Sequence, residues 1–357
     1  MKITNRLTKL RQRFVEKEID AILISQAENR YYLSGFDGSS GYLLITSKHT
    51  ILATDFRYLE QARTQAPDYD IFQITGDADD WFPRLVGGLN LRQLGFEAEH
   101  ISVTWHRKLN DILKKAQPHL KLFPVDGLVE SLRAIKEPEE IELITRAVEI
   151  SDNAFNYIAD RIQVGMTEQQ AAWEIEKFMR EQGSEAIPFH VIVASGHNSA
   201  LPHAKPSQRP IKAGEPVVID IGARHESYSS DLTRTICPGS PEAKFNKIYD
   251  IVLGAQLAAM AIIKEGMSGD EADRLARTVI EEAGYGNAFG HGLGHGIGLA
   301  AHELPRLGPN SSDQLADNMV FTIEPGVYLT DWGGVRIEDT AVMEDGKIRV
   351  ISKARKV

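Results

Sequence analysis

Val217-Val218-Ile219-Asp220-Ile221-Gly222, followed by Ser229-Ser230-Asp231-Leu232-Thr233-Arg234-Thr235, is the stretch that decides how this chain is read. The apolar runs predict strands over 217–221 and 227–236, and the turn-like residues Gly222 to Ser227 fold them into a hairpin. An aspartate inside an apolar strand is costly to bury unless it is paired or holds a cation. The hairpin sets Asp220 and Asp231 on adjacent strands, within reach of one ion. Two plainer readings stand beside this one: a strand-end cap for Asp220, and an ion pair between Asp231 and Arg234.

Working outward, Phe289-Gly290-His291-Gly292-Leu293-Gly294-His295-Gly296-Ile297-Gly298 has glycine at every second position. That spacing is poor for a helix, so His291 and His295 lie on a loop or extended segment whose backbone approaches something closely. His302 follows in Ala301-His302-Glu303-Leu304-Pro305-Arg306. Thr322-Ile323-Glu324-Pro325-Gly326 and Val335-Arg336-Ile337-Glu338-Asp339 each place an acid after an apolar run, as Asp220 is placed. Taken singly, each acid is as well read as a cap or a salt-bridge partner. Together, four carboxylates and an imidazole at strand ends are too many anionic groups to gather without cations. The oxygen-rich donor set with one histidine suits Mn²⁺, Co²⁺, Zn²⁺ or Fe²⁺. Two such ions can activate a water and polarise a carbonyl.

The chain has 357 residues, a formal net charge of −10, 42% hydrophobic and 25% charged residues. This composition is that of an ordinary globular protein of two domains or one large one. The acidic balance argues against nucleic-acid and anionic-membrane partners. A single cysteine, Cys237, excludes an intrachain disulfide and a thiolate zinc site. Met1 to Arg6 is followed by no apolar leader and no run is long enough to span a bilayer, so a cytoplasmic protein is expected. The first ~125 residues alternate helix and strand patterns, including a helix over 56–64, and predict an α/β domain with a mixed or parallel sheet. Helix starts are read at Pro138 and at Thr167-Glu168-Gln169-Gln170. From 126 to 357 helices mix with antiparallel strands, at 319–323 and 335–343 among others, and an α+β domain is expected.

At the residues quoted, the chain resembles the metallopeptidases that comprise proline-specific aminopeptidases, proline dipeptidases and methionine aminopeptidases. Their ligand order, Asp, Asp, His, Glu, Glu, is met by Asp220, Asp231, His295, Glu324 and Glu338. The surrounding words Ser-Asp-x-Thr-Arg-Thr, His-Gly-x-Gly-His, His-Glu-x-Pro, Thr-x-Glu-Pro-Gly and Arg-x-Glu-Asp-Thr match too. The resemblance implies an α/β creatinase-like domain over 1–125, then a "pita-bread" catalytic domain over 126–357. It implies two divalent ions, Mn²⁺ foremost with Co²⁺, Zn²⁺ or Fe²⁺ as alternatives. Asp231 and Glu338 would bridge them, Asp220 would hold one, and His295 and Glu324 the other. Glu324 would also be the general base. His203 and His302 would stabilise the intermediate or the leaving nitrogen, and His291, Arg336 and Arg306 would contact substrate or its surroundings.

The large first domain, with Tyr32-Leu33-Ser34-Gly35-Phe36 and Thr54-Asp55-Phe56-Arg57-Tyr58, resembles that of the proline-specific members. It implies a homodimer in which Asp37 and Ser39 are candidate contacts to the other copy's site, although the Gly35–Gly41 stretch reads equally as an ordinary turn. The main expectation is therefore an Xaa-Pro aminopeptidase. The alternative is an Xaa-Pro dipeptidase, in which Arg306 binds the proline carboxylate, unless it pairs with Glu303. A non-catalytic peptide-binding relative or a metal-free hydrolase of the same fold is the remote alternative, and either would be expected to lack ligands.

Overall fold

The computed structural model describes residues 3–356. Met1 and Lys2, from the stretch read for a leader, and Val357 lie outside the described residues. The chain divides into two compact units after Arg133. Residues beyond the expected boundary at 126 stay with the first unit because they bond into it: Tyr32 Oη donates to Leu132 O and Arg133 to Asn29 Oδ1.

The first unit is a six-stranded mixed sheet. Helix α1 (Ile3–Glu16) leads into β1 (Ala21–Ile24), α2 (Ala27–Ser34) and the hairpin β2 (Tyr42–Thr46) and β3 (Thr50–Thr54). Asp55 caps a 3-10 turn over Phe56–Tyr58, which continues as α3 (Leu59–Gln65), so the helix expected over 56–64 is two pieces. Then come β4 (Asp70–Gln73), α4 (Ala78–Val86), β5 (Gln93–Glu97), α5 (Val103–Ala116) and β6 (Lys121–Val125). The spatial order is β4-β3-β2-β1-β5-β6, and the parallel pairs are β1–β5, β5–β6 and β3–β4. Leu23, Leu44, Phe82, Leu94 and Leu109 pack within this unit's core. In the Gly35–Gly41 loop, Asp37 accepts from Gln61 Nε2 (2.5 Å) and Ser39 bonds Tyr58 Oη (2.6 Å).

A short helix, α6 (Glu130–Ala134), precedes α7 (Pro138–Ala159) and α8 (Glu168–Glu181) of the second unit. Pro138 opens α7 behind a Glu137/Glu140 capping box, and Thr167 and Gln170 cap α8 reciprocally, as their sequence predicts. Strands β7 (Ile192–Ser195), β8 (Val217–Ile221), the small hairpin β9 (Arg224–His225) and β10 (Tyr228–Ser229), and β11 (Leu232–Ile236) follow. β8 lies between β11 and β7 in an antiparallel sheet. Phe155 and Ile158 of α7 and Ile175 and Met179 of α8 cover that sheet's Val193, Ile219 and Leu232.

After α9 (Ala243–Ile262) and α10 (Gly269–Glu282) come β12 (Gly294–Gly296), β13 (Glu303–Leu307), β14 (Val320–Ile323), the hairpin β15 (Gly326–Leu329) and β16 (Gly333–Arg336), β17 (Asp339–Glu344) and β18 (Lys347–Val350). The second sheet has the order β13-β12-β14-β17-β18, and Val252, Ala259, Ala272 and Ala276 pack against its Phe321 and Ala341. No helix among the described residues is long and apolar enough to cross a membrane.

Two expected strands are each broken in two. The run over 227–236 stops at Ser230-Asp231, and the run over 335–343 stops at Ile337-Glu338. The cause is a change of partner at each acid. The Asp231 carbonyl accepts from Thr340 Oγ1 of β17 instead of a ladder donor (3.0 Å). Glu338 N–H donates to Thr233 O of β11 (3.0 Å), linking the two sheets where the β15–β16 hairpin hands over to β17. The breaks lift Asp231 and Glu338 out of strand alternation and aim them at the seam between the sheets.

Candidate metal centre

Asp220 sits within β8, paired with Thr233 on one side and Ile192 on the other. Its Oδ2 accepts from Arg336 Nη2 (2.6 Å), while its buried Oδ1 has no hydrogen-bond partner among the described residues. Glu338 accepts from Thr233 Oγ1 through Oε2 (2.6 Å), and its buried Oε1 is likewise bare. The alternative reading of Asp231, an ion pair with Arg234, is not formed among the described residues. Arg234 is buried against Asp339 instead (2.6 Å), which leaves the Asp231 carboxylate to the seam.

His295 stands in the middle of β12. Its Nδ1 lies 3.0 Å from Gly296 O, an atom that can only accept, so Nδ1 carries the proton. The other nitrogen, Nε2, is then free in the neutral ring. It faces Glu324 Oε1 at 3.2 Å and Asp231 Oδ2 at 3.7 Å. Thr322 Oγ1 ties the two residues together, accepting from His295 N–H (3.1 Å) and donating to Glu324 Oε1 (3.0 Å).

Ligand-capable atoms of Asp220, Asp231 and Glu338 lie within 4.8 Å of one another, and so do those of His295, Glu324 and Glu338. A third such group is Asp231, His295 and His302. Glu338 is common to the first two, and Asp231 joins the first to the third. The electrostatics show the strain of this arrangement without cations. Burial, then the charge of Glu338, pushes the Asp231 carboxyl well above the usual range. Burial, then Glu324 and Asp220, does the same to Glu338. Burial raises Glu324 too, but His295 beside it outweighs that and holds the acid down at about 2. Burial lowers His295, and Glu324 and Glu338 outweigh it, carrying the ring up to about 9. Two bare buried oxygens, an imidazole Nε2 aimed at two carboxylates and mutually repelling acids fit a divalent-cation centre.

A cavity of ≈ 530 Å³ opens over these residues. Phe189, Ile192 and Leu307 give it an apolar wall, and His203, Lys205 and Arg306 are exposed along it. His302 is exposed on the same cavity, its ring centroid 4.1 Å from that of His295. Burial and then the neighbouring His295 hold His302 below the ordinary histidine value. Arg306 has no ion pair among the described residues. Glu303, the plain alternative partner, is bound by Lys136 (2.8 Å).

His291 and Arg336 also line the cavity, yet their polar atoms are turned to the protein. Arg336 donates to Asp220, to Tyr328 Oη (2.8 Å), to Thr233 Oγ1 (3.0 Å) and to Pro202 O (3.3 Å). His291 bonds Gly292 O through Nδ1 (2.8 Å) and Tyr328 Oη through Nε2 (3.0 Å). Tyr328, Thr233 and Thr322 are thus parts of the site that sequence reasoning did not single out. Tyr328 carries no local signal. The threonines lie inside the motifs, where β propensity alone accounts for them.

Residues 142–345 match Metallopeptidase family M24, and residues 6–135 match the Creatinase/Prolidase N-terminal domain. An Xaa-Pro dipeptidase of Pyrococcus horikoshii is 38% identical over 100% of this chain and 99% of its own. A solved Xaa-Pro dipeptidase from Bacillus anthracis shares 42% identity and superposes with a TM-score of 0.95, over 100% of this chain and 99% of that one. The solved X-Pro aminopeptidase of Thermotoga maritima shares 37% identity, with a TM-score of 0.89, over 98% of each chain.

Proposed function

Because this chain belongs to Metallopeptidase family M24 and folds as a creatinase-type domain followed by a pita-bread domain, we propose that it is an Xaa-Pro dipeptidase rather than the Xaa-Pro aminopeptidase first expected. The observation that carries this reading is Arg306: exposed on the cavity, free of ion pairs among the described residues, and suited to a terminal carboxylate. The names of the Pyrococcus and Bacillus relatives support it. The Thermotoga aminopeptidase keeps the longer-peptide reading as the alternative.

Two divalent ions, Mn²⁺ foremost, would be held by Asp220 with the shared Asp231 and Glu338, and by His295 and Glu324 with the same shared pair. When bound they would supply Lewis acidity, making a water nucleophilic at neutral pH and polarising the scissile carbonyl. Glu324, ionised and fixed by Thr322 and its backbone bond to Leu293 O, takes the proton from the attacking water. His203 and His302 face the cavity where the carbonyl oxygen gains charge and the proline nitrogen leaves. That nitrogen carries no N–H, so the apolar wall recognises proline by shape and the leaving atom must receive a proton. Arg336 and Tyr328 hold Asp220 and His291 in place. The homodimer, with Asp37 and Ser39 near the other copy's site, and the cytoplasmic location belong to this proposal as well.

The test compares kcat/KM on Xaa-Pro, Xaa-Pro-Yaa and Xaa-Ala-Yaa for the wild type and Arg306→Ala in Mn²⁺-replete buffer. Xaa-Pro should be the best substrate. Loss of a charge-assisted bond to its carboxylate should cost about 10–100-fold on that peptide alone. Equal losses on dipeptide and tripeptide would reject the role of Arg306 and return the reading to the aminopeptidase.

A further inference from the structure

The segment that carries His291 and His295 cannot hold itself in place. A Cβ on Gly294 would run into Thr322 O, and one on Gly296 into Leu304 O, so the close approach of the strands requires glycine there. Glycine leaves the backbone with more conformations to lose than any other residue. Yet the centre needs His295 Nε2 and the Glu324 carboxylate fixed to within a fraction of an ångström. Something outside the segment must supply the rigidity.

That something is one turn of α10. Asp273 and Arg277 form a two-pronged ion pair, with Nε to Oδ2 at 2.6 Å and Nη2 to Oδ1 at 2.9 Å. Asp273 is 1% exposed. The same guanidinium donates to Phe289 O (2.8 Å) and His291 O (2.7 Å), and it stacks 4.2 Å over the Phe289 ring. Asp273 Oδ1 accepts from Leu293 N–H (2.9 Å). The other side of that residue, Leu293 O, accepts from Glu324 N–H (2.7 Å). Three points of the glycine segment are therefore pinned to one buried side-chain pair, and the last pin runs directly into the Glu324 backbone. α10 is itself anchored, with Ala272, Ala276 and Ile280 fully buried and a Ser268/Glu271 capping box at its start. Neither Asp273 nor Arg277 lines the cavity.

We propose that the Asp273–Arg277 pair is the positioning device for His295 and Glu324, and so sets the affinity of the ion those two residues hold without touching it. This rests on the two-ion reading above. Asp220 lies on β8 in the other sheet and receives none of these bonds, so the ion on its side meets the clamp only through the shared Asp231 and Glu338, which the clamp does not bond. Lysine at 277 keeps the charge but cannot reach two carbonyls and a carboxylate with one planar fork.

The experiment is calorimetric titration of Mn²⁺ into the chelated full-length protein, with thermal melting of the same metal-free samples. The proteins are wild type, Arg277→Lys, Arg277→Ala and Asp273→Asn, the last keeping an oxygen for Leu293 N–H if Arg277→Ala does not fold. In the variants one Mn²⁺ equivalent should weaken about 10–100-fold, the size seen when groups that orient metal ligands are removed, and the other should bind as in wild type. Saturating Mn²⁺ should then recover most of the turnover. Two equivalents bound as in wild type would overturn the proposal. So would equal weakening of both alongside a lower melting temperature, because that is general loosening. A wild type that binds a single Mn²⁺ would strike the two-ion reading instead. The clamp would then stand or fall on whether that one ion weakens.

Discussion

Replacing Arg336 by methionine keeps a long unbranched side chain but removes the one cation bonded to Asp220 among the described residues, and the Asp220 side chain is only 12% exposed. Burial, with Glu324 adding to it, already raises the Asp220 carboxyl, and Arg336 is the largest influence opposing that rise. Without it the metal-free protein must bury an unpaired carboxylate or protonate it. Protonation sets the ceiling on the cost. Keeping a carboxyl of ordinary pKa about 3.9 neutral at pH 7 costs about 4 kcal/mol, at about 1.4 kcal/mol per unit. This lies within the roughly 3–5 kcal/mol typical of breaking a buried ion pair. At pH 5 the same cost is only about 1.5 kcal/mol. The sign follows from linkage: above the unfolded value the variant's native state holds a proton that its unfolded state has released, so stability falls as pH rises. The lost bonds to Tyr328, Thr233 and Pro202 add a deficit that does not depend on pH. Urea unfolding of metal-free wild type and Arg336→Met at pH 5 and pH 7 measures both parts. Because the wild-type carboxyl is itself raised, the deficit should grow by at most about 2–3 kcal/mol between the two pH values, and saturating Mn²⁺ should shrink it at pH 7. A deficit identical at both would refute the assignment of Arg336 as the counter-charge of Asp220.

Glu324→Gln should lower kcat by about 10²–10⁴-fold with the fold intact by circular dichroism, and unchanged turnover in metal-replete buffer would remove Glu324 from the role of base. The raised Asp231 and Glu338 carboxyls hold their protons to higher pH than ordinary acids, so a cation competes with those protons for the site. Mn²⁺ affinity should therefore rise with pH, and its binding enthalpy should depend on the ionisation heat of the buffer. An enthalpy equal in two buffers of different ionisation heat would contradict that proton release.

The local chemistry of the site was legible and its long-range support was not. Asp220 and Glu324 stand out because an acid next to an apolar run is a contradiction that only a partner resolves. The glycine alternation around His295 reads as close backbone approach, and Gly294 against Thr322 O is that approach. Thr167, which caps α8 with Gln170, and Pro138 at the first position of α7 mark helix starts because their signals lie within one helical turn. The breaks at Asp231 and Glu338 are invisible, since the apolar pattern continues through them while the backbone changes sheet. Asp273, Arg277 and Tyr328 are invisible for a related reason. On their own elements they look like an exposed helical ion pair and an ordinary strand aromatic, and their meaning comes from residues far along the chain. The choice between dipeptidase and aminopeptidase hung on Arg306, whose freedom depends on Lys136 occupying Glu303, a contact no pattern announces.

Lys136 and Arg234 lock the buried frame of the second unit, and Arg336 and the Asp273–Arg277 pair hold the ligands, while His203, Lys205, His302 and Arg306 stand exposed around the mouth. Exposed positions of that kind usually change stability by no more than about half a kcal/mol when substituted. A lineage can therefore drift at Lys205 and Arg306, trading one peptide length or first residue for another, while His203 and His302 stay bound to the chemistry beneath. Such a division of labour makes the diet of the enzyme the easily rewritten trait and its way of cutting the inherited one.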